Sequence, residues 1–329
     1  VARSWITALV LLPICRSASA QDIRLTLTGL VQGWYVANDA GSPDSFRLRR
    51  AEIGLEAVVA PKVAWRMMID PAKGTSFLQD AHLTLGTSQW AVDVGRFKVP
   101  ISREGLQSSS TLETIERARF TSDKANGGEL GDVRDVGVKL RGATKWVDLQ
   151  VALMNSLGQA RDTGAAARVP LAVSGRLLVR VPELSGLELG MSAGWGFHRY
   201  QDRSRQSRLS GDVMFTRGRL RLRAEAMRAS ERQRATRLGY YALAAFRVRP
   251  ELDLVARYDD WDPDTGRDLA PPAFAERDLV AGFTRSLPGP NTKIQINGVR
   301  RELRGSIDAV RYLLAVNVQV AWPATQITR

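Results

Sequence analysis

The chain has almost no sulfur or imidazole chemistry to draw on. Its 329 residues include one cysteine, Cys15, and two histidines, His82 and His198. One thiol cannot build a disulfide framework. Two histidines leave little material for a zinc cage or for catalysis built on several imidazoles. Long apolar runs are missing as well. After residue 20 none approaches the ~20 apolar residues of a membrane-spanning helix. Acids are in short supply, with 34 Asp and Glu against 47 Lys and Arg, a formal net charge of +13. Such an excess suits nucleic acid, an anionic membrane surface or small anions, and the sign alone does not choose among them.

The lone cysteine lies in the opening stretch "VARSWITALVLLPICRSASA". Arg3 supplies a positive start, residues 5–14 are mostly apolar, and "ASA" at 18–20 has the small-x-small form of a secretory cleavage site. Ile14 is too bulky to precede a lipid-modified cysteine, so cleavage is expected after Ala20. Residues 1–20 are therefore read as a signal peptide, and the mature, exported chain would begin at Gln21 without cysteine.

Period-two alternation fills the rest. "IRLTLTGLVQGWY" places Ile23, Leu25, Leu27, Val31 and Tyr35 opposite Arg24, Thr26, Thr28 and Gln32. "WVDLQVALMN" and "VRYLLAVNVQVAW" repeat the pattern. About sixteen such segments occur, most of them long enough for a tilted membrane strand of ~9–11 residues. Tight connections such as "GTSQ" at 86–89 alternate with mostly longer ones such as 38–44, 99–132 and 262–276. These features predict an all-β protein, a transmembrane antiparallel β-barrel with short periplasmic turns, spanning residues 21–322 and followed by a tail at 323–329. A soluble β-sandwich is the alternative, but it does not call for Gly, Arg and Asp so regularly on the second strand face.

In "RLRLRAEAMR" (219–228), Arg219, Arg221, Arg223 and Glu225 alternate with Leu220, Leu222, Ala224 and Ala226. A lipid-facing arginine at the bilayer midplane costs about 2–4 kcal/mol, so the charged parity must face the lumen. The same rule turns Arg66, Lys139, Arg176, Arg180 and Arg257 inward, and rings of such cations favour anions in a pore. Alternation slips at Arg49–Arg50, where a β-bulge is expected to re-aim one of the pair at the constriction. The longest connection, 99–132, has the length of a functional loop; folded into the barrel it would narrow the pore, and a mobile external loop is the alternative. Within it Ser110 and Glu113 have capping-box spacing for a short helix, and Glu104, Glu113 and Glu116 could face the basic wall.

Asp260, Asp262 and Asp264 alternate in "DDWDPDTGRD" (259–268), but Thr265 stands where a calcium loop requires Gly. A solvated external loop is the simpler reading, with a divalent-ion site as the alternative. The basic stretch 198–208 is read as an external loop facing lipid headgroups rather than nucleic acid. No G-x-S-x-G, H-E-x-x-H or phosphate-cradling pattern appears. The chain is thus read as a non-enzyme without a cofactor. The alternatives are an outer-membrane enzyme acting on anionic lipids or esters and a non-conducting structural barrel.

"FRLRRAEIGLEAVVAPKVAWRMMID" (46–70), "VGRFKVPISREGLQSSSTLETIERA" (94–118) and "RDVGVKLRG" (134–142) resemble the phosphate-selective porin O and P family of Gram-negative outer membranes. The resemblance implies a sixteen-stranded barrel, usually trimeric, with its third external loop folded inward and a pore passing small anions such as phosphate. Arg49 and Arg50 match the family's paired arginines. Gly95, Arg96, Phe97 and the pair Ser108–Ser109 match its loop-three motif. The chain departs from the pattern at Lys98, where phosphate-selective members carry an acid, and in the residues "PATQITR" that follow Trp322.

Overall fold

Every strand needs neighbours for its backbone donors and acceptors, and in hydrocarbon an open sheet edge is not tolerated. The computed structural model meets both demands with a closed sixteen-stranded antiparallel barrel, β1 pairing with β16. The structure describes residues 23–39, 44–122, 128–158, 171–197, 205–231, 235–266, 274–289, 291–305 and 308–328. The expected signal peptide (1–20) and most of the basic stretch 198–208 lie outside them. The strands are β1 (Arg24–Asn38), β2 (Ser45–Ala60), β3 (Val63–Ile69), β4 (Leu78–Gly86), β5 (Trp90–Lys98), β6 (Arg134–Ala143), β7 (Val147–Met154) and β8 (Ala172–Arg180). Then come β9 (Leu187–Phe197), β10 (Arg205–Arg217), β11 (Leu220–Glu231), β12 (Thr236–Arg249), β13 (Leu252–Asp262), β14 (Ala275–Ser286), β15 (Lys293–Arg304) and β16 (Ala309–Thr328).

Alternation decides which side of the wall each residue takes. On β11, Arg223, Glu225 and Met227 are buried inside, while Leu222 and Ala226 are exposed on the outer face. Outward Leu83, Val94, Val138, Leu153, Met191 and Leu279 belong to the band that meets lipid. At the short ends, Gly218 turns the chain between β10 and β11 with φ 57°, a conformation glycine adopts without a Cβ clash.

Two irregularities stand out. Gln32 pairs with Arg50 but Gly33 pairs with Leu48, so Arg49 is the extra residue of a bulge between β1 and β2. The second corrects the expected tail: β16 does not stop at Trp322 but stays paired to β1 until Thr328 faces Arg24. Its register shifts between Leu27–Thr325 and Gly29–Trp322. Pro323 lies in that shift, and a residue without an N–H cannot contribute a ladder bond.

A buried apolar cluster lies inside the cylinder. Val99, Ile101, Phe120 and Leu130 of the 99–132 segment pack with inward Met154, Met227, Tyr241 and Trp261. Phe120 stacks on Tyr241 at 6.1 Å between ring centroids. One side of the lumen is therefore filled with loop.

Candidate functional site

The inward loop is held by many strands. Its first turn is α1 (Arg103–Leu106), capped by Ser102, whose hydroxyl accepts the Gly105 N–H at 3.0 Å. Glu225, on β11, accepts the N–H groups of Arg103 and Glu104 at 3.1 Å each. Arg103 reaches Asp212 at 2.6 Å and Glu188 at 2.7 Å. Burial alone would lower the Arg103 pKa, but those two carboxylates outweigh it and raise it. Farther along, Lys293 donates to the Leu112 carbonyl at 2.6 Å, and the Ile115 N–H donates to Asn297 at 2.8 Å. Asp259 accepts the Arg119 N–H at 2.9 Å, the first residue of α2 (Arg119–Ser122).

These anchors overturn the capping-box helix. Residues 109–111 form one 3₁₀ turn, and none of 112–118 is helical. Glu113 does not reach back to Ser110, because Arg223 takes its carboxylate at 2.7 Å. Gln295 draws on the carbonyls of Leu112 and Glu113.

Several residues expected to line the pore are part of this scaffold. Arg223 is 6% exposed, and Arg257 bonds Thr114 at 2.8 Å and the Glu116 carbonyl at 2.7 Å. Arg176 pairs with Asp212 at 2.6 Å, and Lys139 with Asp93 at 3.3 Å. Arg180 pairs with Asp148, and Arg221 with Asp253 at 2.6 Å. Arg219 is exposed in the β10–β11 connection. Arg96 donates to the carbonyls of Leu78 and Gln79 at 3.2 and 3.1 Å. Of the loop acids, Glu104 is fully buried and accepts the Ala118 N–H at 2.8 Å. Glu116 keeps a half-exposed side chain 3.8 Å from Arg119.

A smaller group surrounds open space between the loop and β2–β6. Arg50, Arg66, Lys73, Lys98 and Arg134 line one cavity with Glu52, Asp80 and Asp132, and Ser108 and Ser109 edge it. Toward the end of the barrel that carries the short turns, a second cavity shares Glu52, Arg66, Met68 and Ser108, so the two adjoin as one passage. Ser109 receives Arg50 at 3.4 Å. Arg50 also pairs with Asp70 at 3.4 Å, Arg66 with Asp80 at 3.4 Å, and Arg134 with Asp80 at 2.8 Å. Lys98 lies 3.2 Å from Asp132 and donates to the Gly105 carbonyl at 2.6 Å. Burial would raise the Asp132 carboxyl, but Arg117, Lys98, Arg134 and Lys73 hold it well below its ordinary range.

Two cations here pair with no carboxylate among the described residues. Arg49, pushed out by the bulge, lies over the Trp34 ring at 4.9 Å. Lys73, in the 71–76 turn between β3 and β4, donates to the Gln79 side chain at 2.7 Å. Burial, reinforced by Arg50 and Arg134, lowers its pKa to about 7 despite Asp132 and Asp70. Sequence reasoning missed Lys73, Arg103, Arg117 and Arg134. Lys73 sits in a short connection with no alternation, and only its place between Pro71 and Gly74 marked it as part of a turn.

Asp260, Asp262 and Asp264 do not converge into a metal-holding group. Asp260 is held by Arg304 at 2.9 Å and Arg277 at 3.2 Å, Asp262 accepts the Asp264 N–H, and Asp264 accepts the Gly266 N–H. No metal-holding group of acids, histidine or cysteine occurs among the described residues.

Residues 31–186 match the model of the family described as phosphate-selective porin O and P, which bears out the sequence resemblance. No curated protein matches the chain. Among solved structures, the anion-selective porin from Comamonas acidovorans is similar at TM-score 0.66 and 11% identity, over 91% of this chain and 100% of that one. The outer membrane channel DcaP of Acinetobacter baumannii is similar at 0.65 and 15%, over 92% and 99%. Salmonella typhi OmpF gives 0.63 and 13%, over 90% and 97%. At these identities the structural likeness shows the fold.

Proposed function

We propose that this chain, a closed sixteen-stranded barrel matching the phosphate-selective porin O and P family over residues 31–186, is an outer-membrane porin for passive diffusion of small anions. Its place is the outer membrane of a Gram-negative bacterium, among lipid that covers the outward apolar band. The observation that carries the reading is the composition of the passage. Five cations, Arg50, Arg66, Lys73, Lys98 and Arg134, line it with three acids, Glu52, Asp80 and Asp132. Of the five, Lys73 has no carboxylate partner among the described residues. A low-dielectric wall focuses that field into the enclosed water and concentrates anions there. Ion pairing keeps most remaining lumen charges locally neutral, so they shape the pore more than they select.

Passive diffusion requires no catalytic group and no cofactor. Phosphate and related oxyanions are the solutes the family suggests. Residues 1–20 serve as the export signal in this reading. The assembly is a homotrimer, and the apolar outer face of β1, β2 and β16, with Phe46 87% exposed, offers surface for a neighbouring copy. The test is a reversal potential across a planar bilayer in a salt gradient. Chloride passes better than potassium; a cation-favouring potential or an absence of conductance overturns the reading.

A further inference from the structure

A water-filled lumen calls for a polar wall, and one patch of this wall is not polar. Inward Val280, Val299 and Leu313 are successive ladder partners across β14, β15 and β16. Ala315 and Val36 pair in the next inward row, and Ile115 of the loop joins the same cavity. Apolar surface in a pore is unfavourable unless something covers it.

The edge of the patch has the opposite character. Trp34 lines the cavity, is 4% exposed, and its indole N–H has no acceptor among the described residues. Arg49 stacks on its ring. Arg47, also lining the cavity, bonds only the Ser45 hydroxyl, at 3.0 Å, among the described residues. Two acids line the cavity as well, and both have partners: Glu116 lies 3.8 Å from Arg119, and Asp278 lies 2.8 Å from Arg301. The unmatched groups of the lining are therefore the Arg47 guanidinium and one N–H donor beside an apolar surface, with the Arg49 charge next to them over the Trp34 ring.

We propose that this cavity binds amphipathic organic anions, in which one acidic head such as a carboxylate is joined to an aromatic or short alkyl body. The head meets Arg47 and the Trp34 N–H, with the Arg49 charge nearby over the Trp34 ring, and the body covers the valines and Leu313. The inference rests on the porin reading and deepens it by naming a solute class. An inorganic anion gains nothing from the apolar patch, and a neutral apolar molecule gains nothing from the arginines. Mostly apolar sites with a few convergent polar groups are the usual form of small-molecule pockets.

The test compares three probes by calorimetry on the purified full chain in detergent. Benzoate carries both features, acetate only the charge and benzyl alcohol only the ring. Benzoate binds at least about tenfold more tightly than either, the gain expected from removing much of one ring face from water. Val299→Asn removes the advantage over acetate, Val299→Leu retains it, and Arg47→Gln weakens benzoate without affecting benzyl alcohol. Equal affinities for benzoate and acetate, or an advantage that survives Val299→Asn, overturn the proposal. Calorimetry needs no ion flow. Discrimination without conductance would defeat the porin reading alone, and conductance without discrimination would defeat this inference alone.

Discussion

Replacing Lys73 by Met tests the charge argument at its most exposed point. The ammonium lies in the passage without a carboxylate partner, and burial lowers its pKa to about 7. It is therefore charged below about pH 7 and neutral above, whereas Asp132 beside it is held well below its ordinary range and stays ionised throughout. One unit charge about 7 Å from a passing ion is worth ~0.6 kcal/mol in water, and about half that after screening at 0.1 M salt. The energy acts with opposite sign on anion and cation, so the permeability ratio changes by about three- to eightfold. Reversal potentials in a potassium chloride gradient at pH 6 and pH 8 read this directly. The unmodified protein loses that factor of anion preference between the two conditions, and Lys73→Met has the lower value at both. Equal preference at pH 6 and pH 8 in the unmodified protein, or undiminished titration in the variant, refutes the reasoning.

Four further variants separate scaffold from selector. Glu225→Ala leaves the N–H groups of Arg103 and Glu104 without their acceptor, at about 1–3 kcal/mol each, and single-channel records show wider, flickering openings; a steady, unchanged conductance contradicts the anchoring role. The double change Glu113→Gln with Arg223→Gln removes a 2.7 Å pair without altering net charge, so the permeability ratio stays put. Arg49→Gln lowers it, and equal behaviour of these two variants counts against the distinction drawn between paired and unpaired cations. Gly239→Val brings a Cβ to 2.4 Å from that of Phe120. Such overpacking costs about 1–3 kcal/mol and exposes the loop to trypsin at Arg117 and Arg119; resistance equal to that of the unmodified protein refutes it.

The barrel was legible because hydrocarbon imposes one rule on every strand. Arg221 and Arg223 had to face inward whatever their partners, and the slip at Arg49–Arg50 announced its bulge. Pairing was not legible. Arg223 and Glu113 are 110 positions apart, and nothing in alternation links them. The loop read as a capped helix because Ser110 and Glu113 have the right spacing, yet tertiary partners claimed both the carboxylate and the backbone. Apolar inward residues such as Met227 and Val299 were hidden for a related reason. Parity tells which side a residue faces, not whether a loop or a solute covers it there. Residues from 323 onward looked like a tail because they follow Trp322, read as the end of the barrel, but the ladder resumes after one irregularity and runs to Thr328.

The anchors of the inward loop also impose a sequence of events at birth. Lys293, Asn297 and Gln319 hold residues made some two hundred positions earlier in the chain. Contacts so distant along a polypeptide form late, after the ends of the intervening loop have been brought together. The strand that completes the wall is thus also one that seats the plug: β16 pairs with β1 and, through Gln319, holds the loop, so the hole and its obstruction are finished together.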